Sequence, residues 1–236
     1  MLNKVKQIIK DRVCSQLNMP YSRDGLSSTL LKYIDKDKPI KLMDVGAHNG
    51  DFTKALENYC DILKGVLVEP LPEKLELLYQ NFLKPKFYVF GCIASSENGI
   101  AEFEINEATV TSSLLNIKRD MPELAEINLS SRRIIQCQSK TLDDIAKEVE
   151  LGSVDLLKLD VQGAEHLVLK GAGNILQKTS MIWTEVSFKT LYEGSSDFLT
   201  IYNMLYRLGF KFMEIEPGFR GPDKELLQGD ALFIRK

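Results

Sequence analysis

Short apolar runs alternate with helical patterns from Pro39 to the end of the chain. Five runs are typical of buried strands: Ile40–Val45, Lys64–Val68, Phe87–Phe90, Val154–Leu159 and Met181–Val186. Helical periodicity follows at Phe52–Tyr59, Leu71–Phe82, Ala164–Leu169 and Phe198–Leu208. Because strands that alternate with helices pair in parallel, the pattern predicts an α/β fold with a doubly wound, mostly parallel sheet.

Two segments depart from this alternation and predict additional strands. Phe210–Ile215 and Ala231–Ile234 flank a Gly/Pro-rich loop and predict an antiparallel pair at the edge of a seven-stranded sheet. Between Ala101 and Gln138, Ala101–Ile105 and Ile134–Cys137 predict extra strands around a polar segment. A long irregular insertion of this kind is often a lid or a substrate loop.

The first part of the chain has a different character. Apolar residues recur at helical spacing in two groups, Leu2, Val5, Ile9 and Val13, then Leu26, Leu30, Leu31 and Ile34. Pro20, Ser22 and Gly25 separate them. We therefore predict a helical appendage over residues 1–38 that covers part of one large domain over residues 39–236.

Composition narrows the class of protein. The 236 residues include 44% hydrophobic and 27% charged residues, with a net charge of −3, so no basic footprint for nucleic acid is present. No apolar run is long enough to cross a bilayer. The four cysteines form no C-x-x-C pair and are predicted to be free thiols in a reducing compartment. These features predict a cytoplasmic protein.

The first candidate site is the segment from Asp44 to Thr53, after the first predicted strand. Gly46 and Gly50 allow a tight turn, and Glu69 ends the second strand, where an acidic residue accepts ribose hydroxyls. A structural turn with a solvated Glu69 is the simpler alternative. A dinucleotide site would show G-x-G-x-x-G, whereas His48 here takes the middle glycine's place.

The charges in this segment favour a cationic ligand over a pyrophosphate. Asp44 and Asp51 would repel phosphates but stabilise the amino group and sulfonium of S-adenosylmethionine. We therefore predict a nucleoside site for S-adenosylmethionine as cofactor, at the edge where ligands meet open parallel sheets.

Two carboxylates at the ends of later strands are candidates for catalysis. Asp160 follows the fourth strand and is predicted to point into the cleft, with capping of the next helix as the alternative. Glu185 ends the fifth strand and is either a second cleft residue or an exposed strand end. Lys158 could be buried near a carboxylate. Although no cluster has zinc-like spacing and we predict no metal, Asp160 and Glu185 could share a divalent ion.

Taken together, these segments resemble the FkbM-type methyltransferases. The first motif is similar to Asp44–Thr53, usually with Asn at the position of His48. The fourth-strand motif is similar to Lys158–Glu165 and continues into Val168–Ala172, with Gln162 where Glu is more common. The resemblance extends from about Lys41 to Phe233.

The resemblance implies a class I methyltransferase fold, S-adenosylmethionine as donor and an O-methylated product. It implies that the methionine part of the cofactor is surrounded by Asp44, Gly46, Ala47, Asn49 and Thr53. It also implies that Glu69 holds the ribose and that the segment Cys92-Ile93-Ala94-Ser95 flanks the adenine. His48 is expected to shape the turn rather than to act as an acid or base.

The predicted reaction is methyl transfer to a hydroxyl of a glycan or natural-product small molecule. Asp160 is predicted as base or hydrogen-bond acceptor and Glu185 as its helper. From the insertion, we expect polar contacts by Thr111, Ser112 and Ser113 and contacts to an anionic acceptor by Lys118, Arg119, Arg132 and Arg133. An NAD-dependent oxidoreductase and a non-catalytic nucleoside-binding module are the alternatives, and a homodimer is left open.

Overall fold

The computed structural model describes residues 26–106, 112–118, 120–121 and 132–236. The described strands, β1 to β10, are Ile40–Val45, Ile62–Val68, Phe87–Phe90, Ile93–Ala94, Gly99–Asn106, Arg132–Lys140, Val154–Leu159, Thr179–Ser187, Phe210–Pro217 and Gln228–Arg235. The described helices, α1 to α7, are Ser28–Leu31, Asp51–Tyr59, Pro72–Asn81, Leu142–Glu148, Glu165–Lys170, Gly173–Leu176 and Phe198–Arg207.

A seven-stranded sheet in the order β3-β2-β1-β7-β8-β10-β9 forms the centre of the molecule. β1 pairs in parallel with both β2 and β7, and β8 continues the parallel set. β10 is antiparallel to β8 and to the edge strand β9, which confirms the predicted antiparallel pair at the edge. The strand order reverses between β1 and β7, and the crevice at such a point is where open α/β sheets bind ligands.

The central strands are apolar because both faces of the sheet are covered. In β1, Met43 and Val45 belong to the core cluster on one face, whereas Leu42 belongs to the cluster on the other. Such two-sided burial favours the near-continuous apolar runs from which the strands were predicted. Asp44 is the exception: its carboxylate is fully buried, whereas Lys41, the other charged residue of β1, is only partly buried. That exception draws attention to the end of β1.

The extra strands predicted within the insertion are present, but they form a separate sheet. β5 pairs antiparallel with β6, and β6 pairs in parallel with the short strand β4. Phe103 and Ile105 of this second sheet pack against Leu71 and Ile93 in a small apolar cluster. The insertion is therefore anchored beside the carboxyl ends of the parallel strands. Helix α4 was not predicted, although Thr141 caps it by accepting a hydrogen bond from the Asp144 amide at 3.2 Å.

The described part of the predicted N-terminal appendage is a short helix packed near β9. The Ser27 hydroxyl caps α1 and also donates to the Glu216 carboxylate. Lys32 Nζ and Tyr33 Oη donate to Glu214 at 2.7 and 2.9 Å. The first predicted helical group and Cys14 lie outside the described residues, and the boundary at residue 38 stays a prediction.

The remaining cysteines, Cys60, Cys92 and Cys137, are free thiols as predicted. Among the described residues, no helix combines the length and apolar composition needed to span a membrane.

Candidate functional site

The turn after β1 brings the backbone of two strands into close approach. Gly46 adopts φ +77°, and a Cβ atom there would lie 1.8 Å from the carbonyl oxygen of Asp160. The amides of Gly46 and Ala47 donate to the Val68 carbonyl at 2.9 and 3.1 Å, which joins the turn to the end of β2. His48 also has a positive φ, of 48°. Glycine at position 46 is therefore a steric requirement of this turn.

Glu69 links the turn to the segment that follows β2. Its Oε2 accepts a hydrogen bond from the His48 amide at 2.7 Å, and its Oε1 accepts one from the Leu71 amide at 2.9 Å. Only 4% of the residue is exposed. Burial raises the pKa of Glu69, and the two backbone hydrogen bonds oppose this rise. The two backbone hydrogen bonds thus hold the carboxylate in one orientation just after the end of β2.

A cavity of about 400 Å³ opens at the switch point of the sheet. Among the predicted site residues, those that line it are Gly46, Ala47, His48, Asn49, Glu69, Ile93, Ala94 and Asp160. The turn, the second strand end, the adenine segment and the fourth-strand motif therefore share one cavity, as residues at the carboxyl ends of neighbouring parallel strands should.

Asp44 and Thr53 lie behind the cavity wall instead of lining it. Both are fully buried, and Thr53 Oγ1 donates to Asp44 Oδ2 at 2.7 Å. The sequence predicts that both residues contact the ligand, but neither has an exposed side-chain atom with which to do so. They support the wall, because their hydrogen bond ties the start of α2 to the end of β1.

Lys158 joins the buried layer to the wall. Its Nζ donates to the Gly46 carbonyl at 2.7 Å and lies 3.3 Å from Asp44 Oδ1 and 3.5 Å from Asp160 Oδ2. Burial alone would lower the pKa of Lys158, but the charges of Asp44 and Asp160 outweigh it and raise the pKa. The buried position near a carboxylate considered for Lys158 is therefore correct, and the ammonium stays charged.

Asp160 lines the cavity with a side chain that is 41% exposed. Its Oδ1 accepts a hydrogen bond from Gln162 Nε2 at 2.7 Å, and Tyr192 Oη donates to Gln162 Oε1 at 3.0 Å. The helix-cap alternative for Asp160 is wrong. Ala164 is the N-cap of α5, and the Glu165 carboxylate accepts from the amides of the preceding turn.

Glu185, the predicted helper of Asp160, is not among the residues that line the cavity. Its Oε2 accepts a hydrogen bond from Gln228 Nε2 at 3.0 Å. Burial, together with the charges of Asp160 and Glu165, raises the pKa of Glu185 well above its usual range. The structure therefore does not bring Glu185 to the wall as predicted, and its carboxylate is instead engaged by Gln228 of the neighbouring strand β10.

Several lining residues were not predicted from the sequence. Asp230 of β10 and Glu216 of β9 line the cavity, as does Trp183 of β8. Asp230 pairs in register with both Glu185 and Glu216. A lone acid in the apolar stretch Gly229–Ile234 was the signal for Asp230, but the register that turns it inward is a tertiary feature.

The two predicted basic residues of the insertion whose side chains the structure describes, Lys118 and Arg133, do not line the cavity. Lys118 Nζ donates to the carbonyl and hydroxyl oxygens of Thr190, and Arg133 contacts the exposed Glu73 at 3.4 Å. Ser112 lines the cavity, and Ser113 Oγ donates to the Gln162 carbonyl at 2.8 Å. Thr111, Arg119 and the Arg132 side chain lie outside the described residues.

The charge of the described wall is instead negative. Its carboxylates are Asp51, Glu69, Asp160, Glu216 and Asp230, and Lys158 is its one cation within the described part of the chain. Within the same residues, no three His, Cys, Asp or Glu side chains are grouped so that they could hold a metal ion. The wall thus offers oxygen acceptors for hydroxyl or cationic groups.

Comparison with known proteins identifies the class to which this fold and cavity belong. A family profile described as "Methyltransferase FkbM domain" matches residues 44–212, well over half of the chain. The chain therefore belongs to the FkbM methyltransferase family, a class of S-adenosylmethionine-dependent enzymes. This finding confirms the family resemblance and decides against the oxidoreductase and non-catalytic alternatives.

Individual relatives agree with the family. The 2-O-methyltransferase NoeI of Sinorhizobium fredii (strain NBRC 101917 / NGR234) is 26% identical over 198 residues, which cover 80% of each chain. The structure of methyltransferase FkbM from Methylobacillus flagellatus KT is similar with a TM-score of 0.56 and 16% identity, over 86% of this chain. This chain covers only 45% of that protein.

A second solved structure is similar over nearly its whole length. It is a putative S-adenosylmethionine-dependent methyltransferase from Listeria monocytogenes, with a TM-score of 0.51 and 7% identity. The match covers 88% of this chain and 96% of that chain. At these identities the structural similarities concern the fold, and they confirm the class I methyltransferase architecture.

Proposed function

We propose that the cavity binds S-adenosylmethionine and that the enzyme transfers its methyl group to a hydroxyl oxygen of a small molecule or glycan. The observation that carries the proposal is the junction of the Gly46 turn with the Glu69 carboxylate at the switch point of the sheet. A nucleoside placed there would meet a close backbone approach on one side and a fixed acceptor on the other.

The residues present fit this cofactor. Both Glu69 oxygens already accept one backbone hydrogen bond, and each carboxylate oxygen keeps a second lone pair for a ribose hydroxyl. Ile93 and Ala94 are apolar and buried beside Cys92, which suits the adenine ring. Asp160 places a negative charge in the same cavity, where it would stabilise the positive sulfur.

The bound cofactor supplies an activated methyl group, and the chain supplies position and electrostatics. Lys158 and Gln162 hold Asp160 from two sides, so its charge and orientation are fixed before a ligand arrives. Trp183 and Phe52 line the cavity and exclude water from the reaction path. Positioning an acceptor oxygen against a methyl carbon is the largest contribution that such a site makes.

Oxygen is proposed as the acceptor atom on two grounds. The part of the cavity wall formed by β9 and β10 carries Asp230 and Glu216, and carboxylates accept hydrogen bonds from hydroxyl groups. The relative from Sinorhizobium fredii is named a 2-O-methyltransferase, and it is similar to this chain over 80% of its length. An anionic acceptor, once expected from the basic residues of the insertion, is disfavoured by the same carboxylates.

Calorimetry and thermal unfolding with S-adenosylhomocysteine and NAD test the cofactor proposal. At a hundred times its Kd, S-adenosylhomocysteine should stabilise the fold by ~2.7 kcal/mol, and NAD should have no effect. Glu69→Gln should lose most of this stabilisation, because it removes a charged acceptor worth roughly 1.5–3 kcal/mol per hydrogen bond. The exposed Glu102→Gln is the matched control. Stabilisation by NAD alone would contradict the proposal.

A screen with isotopically labelled methyl donor tests the acceptor. Methyl glycosides that carry only hydroxyls should gain a methoxy group, whereas the corresponding uronic acids should remain unmodified because their carboxylates face an acidic wall. Transfer that occurs only to uronic acids would contradict the proposed acceptor class while leaving the cofactor proposal intact.

A further inference from the structure

The cavity carboxylates differ in how they are engaged by the protein. Glu69 accepts two backbone hydrogen bonds, and Asp160 accepts one from Gln162 and lies beside the Lys158 ammonium. Glu216 accepts a hydrogen bond from the Ser27 hydroxyl. Asp51 is exposed at the first turn of α2. Each of these four is held by a donor or surrounded by solvent.

Asp230 differs from these four carboxylates. Among the described residues, its carboxylate has no hydrogen-bond donor and no cation within salt-bridge distance, yet the residue is mostly buried and lines the cavity. The charged groups that face it are Lys158 from β7, Asp160 just after β7, Glu185 from β8 and Glu216 from β9. A mostly buried carboxylate without a donor costs free energy unless a ligand or a proton satisfies it.

We propose that Asp230 is the catalytic base that receives the proton of the acceptor hydroxyl, and that Asp160 holds the cofactor side of the same cavity. This inference rests on the proposed function and adds the residue that performs the proton transfer. Its basis is the position of Asp230 on the cavity wall, together with lone pairs that no described side chain or amide occupies.

The proposed step balances as follows. The acceptor oxygen forms a bond to the methyl carbon while the carbon–sulfur bond breaks and its electron pair goes to sulfur. The hydroxyl proton passes to an Asp230 oxygen, which leaves a neutral ether, a neutral thioether and a protonated carboxyl group. Release of that proton to solvent after the products leave restores the carboxylate.

The chemistry of the two aspartates supports this division of roles. Burial raises the pKa of Asp230 to about 7, with Asp160 adding to the rise and Lys158 opposing it. A general base is most effective when its pKa lies near the working pH. Asp160, by contrast, already accepts a hydrogen bond from Gln162 and lies 3.5 Å from the Lys158 ammonium, so its oxygens are engaged by the protein. Glu185 has a raised pKa but no place on the wall.

The first experiment requires no acceptor. Carbon-13 NMR of aspartate carboxyl groups, recorded with S-adenosylhomocysteine bound and without it, should contain one signal that titrates near pH 7 and is missing from the Asp230→Asn spectrum. A signal for Asp230 that titrates below pH 5 in both states would overturn the proposal. Absence of S-adenosylhomocysteine binding would instead count against the proposed function, and the titration would still be readable.

The second experiment measures kcat against pH with an acceptor from the methyl-glycoside screen. Asp230→Asn should lower kcat by about 10²–10⁴-fold and abolish the rise of the rate through pH 7, with unchanged S-adenosylhomocysteine affinity. Asp160→Asn should keep that rise, and the exposed Asp223→Asn should match the wild type. If the rise persists in Asp230→Asn and vanishes in Asp160→Asn, then Asp160 is the base and the proposal is wrong.

Discussion

Lys158 Nζ, on the cavity wall, lies 3.3 Å from Oδ1 of Asp44, a carboxylate that is fully buried behind that wall. The same ammonium lies 3.5 Å from Asp160 on the cavity wall, so one cation connects a buried carboxylate with one that lines the cavity. Its hydrogen bond to the Gly46 carbonyl adds the turn after β1 to this arrangement. The end of β1 and the end of β7 are thereby held together by charge as well as by backbone pairing.

Removal of this cation should destabilise the whole domain. Lys158→Met leaves Asp44 buried without its partner, and breaking a buried ion pair from one side costs about 3–5 kcal/mol. Urea unfolding should show this loss, while Lys36→Met, at an exposed position, should change little. The double variant Asp44→Asn/Lys158→Met should recover part of the stability. A double variant no more stable than Lys158→Met would contradict the pairing.

A comparison of two glycines with the same backbone conformation distinguishes the cost of a left-handed backbone from the cost of steric overlap. Gly46 and Gly194 have φ of +77° and +72°, but only at Gly46 would a Cβ overlap another backbone, that of Asp160. Gly194→Ala should therefore cost about 1 kcal/mol for the left-handed conformation. Gly46→Ala should cost more than about 4 kcal/mol or fail to fold, because backbone must move. Equal losses in the two variants would show that the close approach is not rigid.

The raised pKa of Asp230 predicts that the free energy of unfolding changes with pH. Its folded pKa of about 7 exceeds the unfolded value near 3.9, so the folded state binds the proton more tightly. Protonation of Asp230 therefore stabilises the folded state relative to its ionised form. This contribution to the free energy of unfolding is fully present below about pH 4 and is lost as the pH rises from about 4 to about 7. Asp230→Asn lacks this dependence.

Urea unfolding of wild type and Asp230→Asn at several pH values measures this effect. The variant should gain stability relative to the wild type between pH 4 and pH 7, and the difference should level off above pH 7. A difference independent of pH would mean that Asp230 is ionised throughout, which would also remove the reason to regard it as a base. Asp223→Asn, in an exposed loop, should show no such trend.

The Asp160 carboxylate should contribute more to the affinity for S-adenosylmethionine than to the affinity for S-adenosylhomocysteine. If its carboxylate faces the positive sulfur, Asp160→Asn should weaken S-adenosylmethionine binding at least about tenfold, or roughly 1.4 kcal/mol. S-adenosylhomocysteine, which lacks that charge, should lose much less affinity. Calorimetry with both ligands at low and high salt gives the comparison. Equal losses for the two ligands would place Asp160 away from the sulfur.

Much of the fold could be predicted because its signals are local. The strands Ile40–Val45, Phe87–Phe90 and Val154–Leu159 have the predicted bounds, since each apolar run ends abruptly at a glycine or an acidic residue. The positive φ of Gly46 and the place of Glu69 after β2 also follow from neighbouring residues. For the same reason, the cavity turn could be recognised without coordinates.

The identity of the residues facing the cavity was decided by tertiary structure. Whether a strand-end side chain points inward depends on the register between strands distant in sequence, and a shift of one residue reverses its direction. Pairing of β10 with β8 and β9 brought Asp230 beside Glu185 and Glu216. Asp230 and Glu216 line the cavity, whereas Glu185 and the fully buried Asp44 do not. The sequence alone thus determined the fold class and the turn after β1, whereas long-range pairing and burial decided which carboxylates line the cavity.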